Sequence, residues 1–200
     1  MNIEELKRNC ELNRFCFDYV ETVEECRELV GQLIHEGDVV SHGGSVTLSE
    51  CGIIDLLRSR KDITYLDREN CEDVQKLYRE CFSADVYLTS SNAITQKGEL
   101  YNVDGTGNRV AAMIFGPKKV IVIVGINKIV ENIEDAVKRV EEIAAVKNNI
   151  RLHKNNPCVQ VGHCVHCNSP IKICREYTVI SSSYTPQRIH IICVNKELGY

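Results

Sequence analysis

The sequence predicts an α/β fold, a mostly parallel sheet with helices on both faces, and three observations predict it. Strand-like runs alternate with segments of helical period along the chain, the pattern of strand-crossover-strand units. One strand, KKVIVIVG (118–125), is apolar on both faces, as a central parallel strand must be. Three strands run into HGGSVT, SNAIT and INK, short polar segments at the carboxyl-end edge where open parallel sheets bind ligands.

Thr22-Val-Glu-Glu25 has the form of a capping box, after which Val23, Cys26, Val30, Leu33 and Ile34 mark one face of a helix ending near Gly37. The strand DVVS follows. The segment VTLSECGIIDLLRSR (46–60) reads as one second helix running through Gly52. Next come strand ITYLD, a helix with Val74, Leu77, Tyr78, Cys81 and Phe82 on one face, and strand DVYLTS. SNAIT, a QKG turn, a short GELYNV strand and the helix-like RVAAMIFG precede the central strand. Beyond it, Ile133, Ala136, Val137, Val140, Ile143 and Ala144 recur at helical spacing, and RIHIICVN supplies the last strand. The span from about 148 to 187 reads as irregular, with no internal repeat or low-complexity tract anywhere.

At 200 residues, 44% of them apolar, the chain suits one sizeable core. It reads as a single domain, 1–200, with a cysteine-rich insertion at 148–187 before the last strand. A net charge of -4, a pI near 5.9 and basic residues scattered among acids argue against a nucleic-acid partner. The longest aliphatic run, Val120 to Val124, argues against a membrane. The charged start MNIEELKRNCELNR is unlike a secretion signal, so a cytoplasmic location is expected. Oligomeric state is left open.

Three constellations suit chemistry. In the first, Gly43 and Gly44 can turn successive amides towards one point and Ser45 can cap the next helix, a cradle for phosphate or carboxylate. A tight turn that needs glycine on steric grounds explains the same residues. The second comprises Ser91, Asn92, Asn102, Asp104, Gly105, Thr106, Asn108 and Arg109. Here Asp104 can accept from a hydroxyl or hold a lysine, Arg109 can grip an anion in a bidentate fork, and Asn92 can donate and accept. The alternative is a turn in which Asp104 and Thr106 cap the following helix and Arg109 lies on the surface. Lys128, past the central strand, adds positive charge to the same edge, or is simply solvated.

The third constellation holds four of the eleven cysteines. Cys158, Cys164, Cys167 and Cys174 follow a C-x5-C-x2-C-x6-C pattern with Gly162 and Pro170 to bend the chain, and thiolates so crowded suit tetrahedral zinc or an iron-sulfur cluster. His163 and His166 alternate with them and can substitute for one ligand or simply face solvent. The other cysteines, at 10, 16, 26, 51, 71, 81 and 193, read as small hydrophobes. No Ser-His-Asp set or Walker loop is present. Gly105-Thr-Gly107 lacks the third glycine of a nicotinamide fingerprint.

GDVVSHGGSVTLSECGIIDLL, SSNAITQKGELYNVDGTGNRVAAMIFGPKKVIVIVGINKIV and the PC...GHCVHC...IC tail ending in NKELGY resemble the lactate-utilisation (LUD) domain family, over about residue 20 to the end. The resemblance implies the fold shared by ribose-5-phosphate isomerase, glucosamine-6-phosphate deaminase and coenzyme A transferases. It also implies bacterial cytoplasm, a link to lactate oxidation, and company with iron-sulfur and flavin redox subunits as partners. SSNAIT and NVDGT further resemble two motifs of methylthioribose-1-phosphate isomerase. Asn92 stands where that enzyme has its acidic catalyst and Val103 where it has lysine, and an amide cannot exchange a proton near neutral pH. Glu50 and Glu99 are the candidate replacements as acid or base.

The expected function is therefore a LUD-type redox or accessory protein: a small anionic metabolite, such as a 2-hydroxy acid, lies on GGS and NVDGTGNR, with a cysteine-ligated iron-sulfur cluster of the 4Fe-4S kind nearby. Two alternatives stand beside it. One is a non-redox enzyme on a sugar phosphate or acyl-coenzyme A that uses Glu50 or Glu99, with zinc bracing the tail. The other is a metabolite-sensing module that catalyses nothing.

Overall fold

The computed structural model describes residues 2–200. Its elements run α1 (Ile3–Leu12), β1 (Cys16–Val20), α2 (Val23–Leu33), β2 (Val39–His42), α3 (Val46–Glu50), α4 (Ile53–Ser59), β3 (Thr64–Leu66), α5 (Val74–Glu80) and β4 (Val86–Thr89). They continue through β5 (Ala93–Thr95), β6 (Leu100–Asp104), α6 (Asn108–Ile114), β7 (Lys119–Gly125), β8 (Ile129–Val130), α7 (Ile133–Arg139), α8 (Ala145–Arg151), α9 (Pro157–Val161), β9 (Glu176–Ile180) and β10 (Ile189–Val194).

Six strands form one sheet in the order β1-β10-β7-β4-β2-β3, every neighbouring pair parallel. The apolar run 120–124 lies inside it, between β10 and β4, with Val122 opposite Ile191 and Thr89. Pleat alternation sends Val120, Val122 and Val124 to one face, where Leu6, Leu77 and Met113 of α1, α5 and α6 cover them. Ile121 and Ile123 go to the other, under Cys26, Leu48 and Leu57 of α2, α3 and α4. Each fully buried aliphatic side chain contributes about 1.5–3 kcal/mol of transfer free energy, so the two layers together fix strand order and register.

A second sheet, β8-β5-β6-β9, stands beside the first. Its β5 and β6 form an antiparallel hairpin closed at Gly98, β9 pairs antiparallel with β6, and β8 runs parallel to β5. Ala136, Val140 and Ala144 pack against its Ala93 and Tyr101. The span 148–187 is thus not wholly irregular: it carries α9, which begins on Pro157, and β9. The β9 signal is weak because Tyr177 and Val179 point outward.

Two further differences have local causes. The helix expected over 46–60 is two, α3 and α4, because Gly52 adopts φ +67°, a left-handed conformation that breaks the ladder and starts α4. The long apolar stripe from Ile133 is helical to Arg151, but Val140–Ala144 forms a π turn within it, a feature that accompanies functional sites. At α2 half of the capping box forms: Thr22 Oγ1 accepts from the Glu25 amide at 3.1 Å, while the Glu25 carboxylate accepts at 2.9 Å from the amide of Glu21, one residue before the cap.

Candidate functional site

Beyond the carboxyl ends of the parallel strands lies a cavity of about 280 Å³. The segments after five of the six strands line it: Gly44 to Thr47 after β2, Arg68 after β3, Ser90 to Asn92 after β4, Lys128 after β7 and Tyr200 after β10. The loop between β6 and α6 closes another side with Asp104, Gly105, Thr106, Asn108 and Arg109, and Asn148 and Arg151 of α8 close the rest. The two glycine-rich segments, sixty positions apart, therefore meet. At Gly43 a Cβ would stand 3.3 Å from Arg109 Cγ and 2.8 Å from the Tyr87 hydroxyl, so the approach of the two segments requires glycine there.

Ser45 caps α3, its hydroxyl accepting from the Leu48 amide at 3.3 Å. Gly43 and Asn102 are buried behind the cavity rather than lining it. Asn102 Oδ1 accepts from Arg109 Nη1 at 2.7 Å and from the Asn92 amide at 3.3 Å. Ser91 is buried, its hydroxyl donating to the Ala93 carbonyl at 2.7 Å.

The expectation that Arg109 offers a free anion fork is corrected. Its Nε and Nη2 donate to Asp104 Oδ1 at 2.9 and 2.6 Å, Nη1 donates to the Ser90 carbonyl and Asn102 Oδ1 at 2.7 Å each, and Nη2 also reaches Asn92 Oδ1 at 2.8 Å. All five donors of the guanidinium are thereby engaged. Asp104 Oδ2 in turn accepts from the Arg109 and Val110 amides at 3.1 Å each and caps α6. The pair is a brace that shapes the wall. Thr106 is exposed and bonds Asn108, not the helix end.

Lys128 is not solvated: it is 3% exposed. Its Nζ donates to Thr47 Oγ1 at 2.8 Å and Ser90 Oγ at 2.9 Å, and no carboxylate pairs with it among the described residues. Burial, reinforced by the Arg139 and Arg109 charges, pushes its pKa down to about 7. Arg139, itself buried, donates to the carbonyls of Asn127 and Asn92 and so fixes the segments on both sides of the lysine.

Neither candidate acid-base carboxylate lines the cavity. Glu50 is exposed and accepts from the Gly199 amide at 2.6 Å. Glu99 sits at the β5-β6 turn, accepting from Thr95 Oγ1 at 3.0 Å. Glu50 is thus held by an amide 149 positions away and Glu99 by a hydroxyl four positions away, and their sequence context carried no sign of that.

Cys158, Cys164, Cys167 and Cys174 all line a second cavity of about 180 Å³, with Asn149 and Ala145 of α8, His166 and Tyr177. All are free thiols. Burial and the neighbouring cysteines push Cys158 up and Cys174 up to about 11; a bound cation removes that penalty, so the donor set fits a soft metal centre. Glu141, Cys164 and His166 also place their ligand atoms within 4.8 Å of one another, and the backbone carbonyl of Glu141, in the π turn, accepts from the Cys164 amide at 2.9 Å. His163 is exposed and does not line the cavity.

The two cavities share a wall. On α8, Asn148 and Arg151 face the first and Ala145 and Asn149 the second, while consecutive residues Ile173 and Cys174 do the same. Arg68 and Tyr200, which sequence reading missed, follow the ends of β3 and β10, so inspection of every strand end, not three of them, finds both. Arg151 has no such signal.

Six parallel strands with a cavity past their carboxyl ends define an open α/β architecture. The chain belongs to the LUD domain family, whose model matches residues 3–194 and so takes in α1 and β1 as well. A crystal structure of a DUF162 family protein from Deinococcus radiodurans is similar over 97% of this chain and 96% of that one, at 13% identity and a TM-score of 0.55. Weaker likeness extends to eIF2B beta from Chaetomium thermophilum, at 15% identity and a TM-score of 0.39 over 56% of this chain and 44% of that one. No curated protein matches the sequence. No helix of the described residues is long and apolar enough to cross a membrane.

Proposed function

We propose that this LUD-domain protein is a lactate-utilisation-type redox or accessory protein that holds a small anionic metabolite, of the 2-hydroxy acid class or its 2-oxo partner, beside a cysteine-ligated iron-sulfur cluster. One observation carries the reading: the polar cavity and the four-cysteine cavity are separated by a single helix and a single peptide, Ile173-Cys174. Positive charge without matching free carboxylates favours an anion. Arg68 and Arg151 line the first cavity with no carboxylate within 4 Å among the described residues, whereas its one acidic side chain, Asp104, is consumed by Arg109.

Cys158, Cys164, Cys167 and Cys174 would hold the cluster, which supplies one-electron chemistry. Four thiols lining one cavity are the ligand set of an iron-sulfur cluster. Zinc on Glu141, Cys164 and His166 is the competing reading, supported by their mutual approach. Flavin or iron-sulfur subunits are the proposed redox partners, and cytoplasm the proposed location.

Protein purified without oxygen should be brown and contain iron and acid-labile sulfide, and lactate or pyruvate should raise its melting temperature. A colourless preparation with one zinc per chain removes the cluster. Absence of stabilisation by any small hydroxy or oxo acid removes the metabolite.

A further inference from the structure

We propose that Lys128 is a nucleophile that condenses with the carbonyl of a small anionic aldehyde or ketone bound in the first cavity, forming an imine on Nζ. The proposal rests on the anion-cavity reading above and adds the reacting atom and the substrate class.

The hydrogen bonds around Nζ support it. Ser90 Oγ donates to the Ser91 carbonyl at 3.4 Å and Thr47 Oγ1 to the Leu198 carbonyl at 3.4 Å, which leaves both hydroxyl oxygens as acceptors towards Lys128. A neutral amine has two N–H bonds and one lone pair. With both N–H groups spent on Thr47 and Ser90, the lone pair is what remains for the cavity that Lys128 lines.

The surroundings favour the neutral form. Nζ is buried with no carboxylate partner, and two guanidinium groups, Arg139 and Arg109, act on it. A lysine in such a place is an amine near neutral pH, the state in which lysine attacks carbonyls. Arg68 and Arg151 supply the charge that an anionic group on the substrate needs. Arg68 lies over the Tyr78 ring, 5.7 Å from its centroid, and its Nη1 occupies the space a side chain at Gly44 would fill.

The step balances without a further reagent. The Nζ lone pair adds to the carbonyl carbon, a proton passes from nitrogen to oxygen to give a carbinolamine, and loss of water leaves the C=N bond. Thr47 Oγ1 and Ser90 Oγ, which accept from Nζ at 2.8 and 2.9 Å, hold the amine in place for the attack.

The full chain is incubated near neutral pH with pyruvate, glyoxylate or ribose 5-phosphate in turn, reduced with sodium borohydride, and read by intact mass and peptide mapping. The expected result is one adduct per chain, mapped to Lys128, formed by the oxo acids or by the sugar phosphate, whichever class the cavity takes. It should be lost in Lys128→Met, which has no amine to condense, and in urea-unfolded wild-type protein. Adducts spread over surface lysines, or none, overturn the inference. Thermal shift with the same compounds separates the two levels: stabilisation without an adduct removes the nucleophile and leaves the anion cavity standing, whereas neither stabilisation nor adduct removes both.

Discussion

Arg109 and Asp104, five positions apart, meet at 2.6 Å across a tight turn, and the same carboxylate caps the helix on which the arginine stands. The guanidinium and carboxylate are 14% and 7% exposed, so the pair is held away from most water. Removing one partner of such a pair strands the other, at about 3–5 kcal/mol. Arg109→Lys should therefore lower the urea midpoint steeply, since one ammonium cannot replace five fixed donors. An unchanged midpoint with loss of ligand binding alone would mean that Arg109 serves the ligand, not the wall.

Gly43 is fixed by what it touches. A methyl group there meets the Tyr87 hydroxyl at 2.8 Å, so Gly43→Ala should cost about 1–3 kcal/mol through overpacking. Adding Tyr87→Phe removes the contacted oxygen, and the double variant should recover part of the loss in chemical denaturation. Equal stability of single and double variants would place the strain elsewhere.

Lys128 sets a pH dependence whose sign follows from its lowered pKa, about 7 folded against 10.5 for the free side chain. Between these values the unfolded chain binds more protons, so stability rises with pH, by up to about 1.4 kcal/mol per unit. The penalty is complete below about pH 7 and fades as pH climbs towards 10.5. Lys128→Met abolishes this slope, and its stability relative to wild type should be highest near pH 6 and fall steadily above 7. Arg139 and Arg109 deepen the effect, and Glu50 and Cys51 oppose it. Parallel stability-pH curves for the two proteins would show that Lys128 is ordinary.

His42 works on the acid side. It is buried beside Arg68, bonds the Tyr65 hydroxyl at 2.9 Å, and has its pKa pushed down to about 4, by burial first. Protonation thus favours the unfolded chain, and stability should drop as pH falls from about 6.5 towards 4. His42→Asn should flatten that limb in melting curves recorded at pH 4 to 7.

The metal proposal separates cysteines by position. Cys164→Ser and Cys174→Ser should empty the protein of iron, whereas Cys71→Ser, far along the chain in the loop before α5 and absent from the second cavity, should leave iron content as in wild type. Elemental analysis reads the difference. Iron retained in both tail variants would place it elsewhere.

Periodicity alone made the sheet legible. The doubly apolar 120–124 run and the alternation of strand with helix could satisfy their burial in few other ways, and the Cys-x2-Cys spacing marked the tail because sequence neighbours stay neighbours in space. Residue type also marked Gly43 and the loop at 104–109, but not what they do. Whether Arg109 faces a ligand or a carboxylate, whether Lys128 is solvated or sealed in, and whether Glu50 and Glu99 reach the cavity depend on contacts between segments far apart in the chain. Local propensity carries no record of such contacts. Only the packed sheet, by bringing five strand ends to one edge, decides which charges are spent and which are left to act.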